Sequence, residues 1–127
     1  MKLRFERDAL RYRMRKSDLE QLSHQGFVKN TVTFPSGMLQ YELHVADVPE
    51  TTADINGGII SVQIPLGIAT EWINTEEVGI YHRMHLANDQ ILDITIEKDF
   101  PCENDSDEDK KDTFTELAEK SGKNEIC

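Results

Sequence analysis

The chain has 127 residues, and its 14 lysines and arginines stand against 24 aspartates and glutamates, a formal net charge of −10. With 38% hydrophobic and 30% charged residues it reads as one soluble globular domain, long enough to bury a core. It lacks the 18-residue apolar run of a membrane span and the apolar stretch of a secretory signal, and its acidity opposes long-range attraction to nucleic acid.

The charge is uneven. Residues 1–16 hold seven cations against Glu6 and Asp8, whereas the stretch from Asp99 onward holds ten acids and four lysines. The chain has a basic head and an acidic tail. Its two cysteines, Cys102 and Cys127, make no disulfide framework, and two free thiols in a reducing cytoplasm are expected.

In chain order, "KLRFE" and "LRYRMR" alternate apolar and charged residues with the period of half-buried strands. The second places Leu10, Tyr12 and Met14 on one face and Arg11, Arg13 and Arg15 on the other. "SDLEQLSHQG" reads as a helix over 17–25: Ser17 and Glu20 have capping-box spacing, Leu19 and Leu22 share a face, and Gly26 ends it. "FVKNTVTF" and "MLQYELHV", joined by "PSG", predict a hairpin. "ADVPETTADINGG" has the composition of a loop. "IISVQI" is a strand with Ile60, Val62 and Ile64 toward the core. Pro65 opens a second helix, "LGIATEWIN", with Ile68 and Trp72 at i, i+4. "EVGIYHRMHL" and "QILDITIEKDF", joined by "AND", predict a last hairpin.

No internal repeat is read from this order. The expected fold is α+β: an antiparallel, strongly curved sheet or partly open barrel of about seven strands with two short helices. The expected domain is 1–100. Residues 101–127 form an acidic tail, flexible or partly helical, with Phe114 and Leu117 as its only anchors.

The pattern "MKLRF…ALRYRM…SDLEQL", then "VGIY", then "IEKDFPCEND" resembles a family of small acidic bacterial proteins, associated with the Bacteroidetes, classed as a domain of unknown function. The resemblance covers roughly residues 1–107, and the Lys/Glu-rich stretch from 108 departs from it. It implies no activity, substrate or cofactor.

Candidate chemistry is sparse. His82 and His85 are spaced i, i+3 on a strand and point to opposite faces, which argues against a metal site, and "DSDED" at 105–109 lacks the glycine and terminal acid of a calcium loop. There is no P-loop, GxSxG or HExxH, so no cofactor is expected. One group could bind an anion: the arginine face of Arg11, Arg13 and Arg15. Neighbouring strands could equally neutralise it through Glu42, Asp93 and Glu97. The expectation is a non-catalytic interaction or accessory module with a protein partner. The alternative is an anion- or phosphoester-binding enzyme using the arginine face. No membrane association is expected, and oligomeric state is left open.

Overall fold

The structure, a computed structural model, describes residues 1–102 and 105–121. Among the described residues eight strands form four hairpins: β1 (Lys2–Glu6) with β2 (Ala9–Met14), β3 (Phe27–Phe34) with β4 (Gly37–Ala46), β5 (Thr52–Asn56) with β6 (Ile59–Pro65), and β7 (Gly79–His85) with β8 (Ile91–Lys98). The expected single antiparallel sheet is replaced by two four-stranded sheets. Sheet A has the order β1-β2-β8-β7 and sheet B the order β3-β4-β6-β5. Each is mixed, because its two central strands run parallel. Sequence neighbours do pair antiparallel within every hairpin. Pairing between hairpins carries no local signal, since parallel strands need a long crossover between them. Helix α1 (Lys16–Gln25) carries the chain from sheet A to sheet B, and α2 (Leu66–Asn74) carries it back.

The layout is an internal duplication. β1, β2 and α1 begin at residues 2, 9 and 16, and β5, β6 and α2 begin at 52, 59 and 66, a constant offset of 50. Buried residues correspond across it: Leu10 with Ile60, Tyr12 with Val62, Met14 with Ile64, and Leu22 with Trp72. The halves share a burial pattern rather than residue identity, which is why the repeat escapes a reading of the letters.

Three local expectations shift. The loop assigned before Gly57 contains edge strand β5, which turns through Gly57 and Gly58 with φ of 57° and 79°, the left-handed pair that a right-twisted hairpin favours. In α2 it is Ala69, not Ile68, that packs inward with Trp72. Ile68 is exposed, and the Trp72 indole donates to the Val78 carbonyl at 3.0 Å. At the start of α1, Asp18 rather than Glu20 makes the cap, accepting from the Arg15 backbone N–H at 2.9 Å, while Ser17 donates to Asp112. Leu19 and Leu22 are buried, and Gly26 closes the helix at φ 81°.

The segment after β8 folds back onto the body. The Asp99 N–H donates to the Met14 carbonyl at 2.7 Å, Phe114 to Asp99 at 2.9 Å, and Lys16 to Asp112 at 2.8 Å. Short helices α3 (Asp107–Lys111) and α4 (Thr115–Ser121) follow, and Phe100, Phe114 and Leu117 join the core. The two aromatic and aliphatic anchors of the expected tail therefore serve as core residues. Cys102 is buried and disulfide-bonded, not a free thiol. Cys127 lies outside the described residues. The disulfide removes the support that two free thiols lent to a reducing compartment. No helix among the described residues is long and apolar enough to cross a membrane.

Candidate functional site

Strand pairing arranges the outer face of sheet A into cross-strand rows. One row runs Lys2, Arg13, Glu97, Gly79; the next runs Arg4, Arg11, Thr95, Tyr81; Asp93 and Arg83 sit opposite each other in a third. The arginine face of β2 thus lies between a basic edge strand and an acidic central strand. Alternation puts Leu10, Tyr12 and Met14 on the other face, all buried.

Glu97 is the hub of the first row. Arg11 Nε lies 3.5 Å from its Oε1, and the Tyr81 hydroxyl donates to its Oε2 at 3.0 Å. Gly79 makes this possible. A Cβ there would meet the Tyr81 oxygen at 2.7 Å and the Glu97 Cγ at 3.0 Å, so the tyrosine ring lies where a side chain would stand. Partial burial, then the hydrogen bond and negative charge of Glu97, push the Tyr81 hydroxyl up to about 12. Beyond the end of β2, fully buried Asp99 takes Lys2 Nζ at 2.9 Å and lies 3.9 Å from Arg15 Nε. Arg15 Nη1 also donates to Asp109 at 2.8 Å.

The structure thus places each sequence-marked residue as follows. Arg11 and Arg15 contact carboxylates, and Arg13 is 8% exposed beside Glu97 in the register. Of the three expected acidic neighbours, Glu97 reaches the arginine face. Asp93 contacts Arg83 at 3.2 Å instead, and Glu42 lies on sheet B. Arg4 is exposed directly opposite Arg11, beside a hollow of about 40 Å³ lined by Arg4, Glu6, Ala9, Leu10, Arg11 and Thr95. His82 lies 4.0 Å from Glu50, and His85 is exposed on the other face. Among the described residues no three His, Cys, Asp or Glu side chains cluster as metal ligands would.

Sheet B has a different surface. Its strands carry the charged residues Lys29, Glu42 and Asp54, and no charged side chain occurs in residues 30–41 or 55–70. Burial works to raise the Glu42 carboxyl, but hydrogen bonds from His44 and Gln40 and the Lys29 charge overcome it and hold the group below its usual range. The two turns of sheet B lie side by side, since the Gln40 N–H donates to the Gly58 carbonyl at 3.0 Å. Around them Val32, Phe34, Met38, Ile55 and Ile59 are exposed. Sequence reasoning passed over this apolar turn end. Its signal was the pair of uncharged runs in so acidic a chain, which composition averages over.

These features define an α+β domain of two mixed sheets, one densely charged on its outer face and one nearly uncharged and apolar at its turns. The chain belongs to a family of unknown function, DUF7009, whose model matches residues 1–117 and so extends past the core residue Phe114. No curated protein and no solved structure matches it.

Proposed function

We propose that the protein is a non-catalytic interaction module that engages a protein partner through the turn end of sheet B. One contrast supports the reading. The charged groups of sheet A close on one another, Arg11 on Glu97 and Arg15 on Asp99 and Asp109, while Phe34, Met38 and Ile55 stand uncovered. Desolvating that apolar end contributes roughly 25 cal/mol per Å² on docking. Desolvating paired charges would contribute little. The test places a photo-crosslinking residue at Met38 in the protein's native cell. A discrete protein adduct that disappears when Phe34 is replaced by serine supports the module. Absence of any adduct contradicts it.

A second reading, an anion- or phosphoester-binding enzyme using Arg11, Arg13 and Arg15, draws on one observation. Arg4 and Arg11 face each other beside the small hollow, and like charges directly opposite are destabilising unless an anion relieves them. Stabilisation by phosphate tests it.

A further inference from the structure

We propose that the partner at the turn end of sheet B is a second copy of this chain, paired through the β3 edge into a continuous eight-stranded sheet. The inference rests on the interaction-module reading and names its partner.

A sheet edge exposes unpaired backbone groups and is a template for another strand unless it is short or charged. Three of the four edges here are protected in these ways. β1 carries Lys2, Arg4 and Glu6; β7 carries Arg83 between two histidines; β5 has only five residues, Asp54 among them. β3 is eight residues long, and after Lys29 it continues Asn-Thr-Val-Thr-Phe with no charge and no proline. Thr31, Val32, Thr33 and Phe34 are all exposed.

The free backbone groups can be assigned. The Gln40 N–H bonds to Gly58, the residue just before β6, so even-numbered residues of β4 face β6 and odd-numbered ones face β3. The register pairs those odd residues with even residues of β3, Asn30 with Tyr41 and Val32 with Leu39. Thr31 and Thr33 therefore direct their N–H and C=O groups outward, as does Lys29, whose carbonyl already accepts from the Asn30 side chain at 2.9 Å. Two antiparallel copies of this edge satisfy each other's groups about a two-fold axis, an isologous contact in which the same patch meets itself.

Self-complementarity selects a second copy as the occupant, since the outward backbone groups of this edge match their own two-fold mates, and charge leaves room for the contact. Two chains of net charge −10 repel over most of their surfaces. They can approach most closely where neither carries charge, and residues 30–41 form such a stretch. The pairing also brings Val32 and Phe34 of each copy together on one face of the joined sheet.

The experiment is sedimentation of the parent across roughly 1–300 µM, the range that weak interfaces occupy. Two variants accompany it. Thr31→Pro deletes an outward N–H without touching the β3–β4 ladder, and Thr31→Lys with Thr33→Lys charges the edge without altering the backbone. The expected result is a parent that rises from 14.6 kDa toward twice that mass with concentration. Both variants should weaken association at least tenfold and still melt cooperatively. If the proline variant fails to fold, the double-lysine variant decides alone. A parent that stays at 14.6 kDa throughout, or a dimer that survives the charged edge, overturns the proposal. A crosslinked adduct of some other mass, formed by a monomeric parent, would overturn the self-pairing and leave the interaction-module reading standing.

Discussion

Asp99→Asn changes one atom at the point where the N-terminal strands, β8 and the C-terminal segment meet. Asp99 is 0% exposed and lies 2.9 Å from Lys2 Nζ, with Arg15 Nε at 3.9 Å. Removing one partner of a buried ion pair costs about 3–5 kcal/mol when the other charge is left stranded. Stranding is mild here. Lys2 is 39% exposed and can take up water, and Arg15 keeps Asp109 at 2.8 Å. What remains is the loss of the charge pairing itself, which with little stranding falls below that range, to about 2 kcal/mol. The expected loss is therefore about 2 kcal/mol, or a fall in Tm of roughly 8 °C for a domain of this length. Urea unfolding followed by Trp72 fluorescence reads it, with the midpoint shifting and the slope unchanged. Because Asp99 is shielded from solvent, the loss should persist at high salt. A loss below about 0.5 kcal/mol would mean that the cations of the N-terminal strands are not anchored by this carboxylate, since that is the range of an ordinary surface substitution.

The Tyr81–Glu97 contact should be visible in an ultraviolet phenol titration. Glu97→Gln removes the negative charge, and Gly79→Ala displaces the ring, so each should lower the Tyr81 value from about 12 toward the ordinary 10; an unchanged titration would refute the contact. Because the folded-state value is the raised one, its stabilising contribution is complete below pH 10 and is lost as pH rises through about 12, so the parent should lose stability across that interval and both variants should lose less of it. Phe114→Ala removes a core ring that lies beneath Lys16 and Lys98 at 5.6 and 5.5 Å, and it should cost about 3 kcal/mol. A loss under about 1 kcal/mol in calorimetry would return the C-terminal segment to the status of a loose tail.

The local periods carried much of this fold. Seven of the eight strands and both long helices follow from alternation, caps and turns, and Tyr12, Leu19, Leu22, Val62 and Trp72 face the core as their spacing requires. What escaped was non-local. Nothing in the letters says that β2 lies parallel to β8, or β4 to β6, because such contacts are set by how four hairpins dock and not by any one of them. β5 was hidden by its Asp, Asn and Thr content, although Asn56-Gly57-Gly58 is a hairpin signal in its own right. Of the candidate site, the arginine alternation and its Glu97 neighbour were legible. Asp99 and Asp109 were not, because they meet Arg15 only once the C-terminal segment folds back.

The central claim is that the basic ribbon is satisfied within the molecule and that recognition happens elsewhere. Melting curves of the parent and of Arg11→Glu, recorded in low salt with and without added phosphate, test it most directly. Arg11→Glu, which would face Glu97 with a like charge, is expected to melt lower than the parent, by less at high salt, and phosphate is expected to leave the parent unmoved. A ligand at a hundred times its Kd would add about 2.7 kcal/mol to the folded state. A parent that gains several degrees on adding phosphate, together with an Arg11→Glu variant that is more stable and no longer responds, would contradict the account and make the arginine face an anion site.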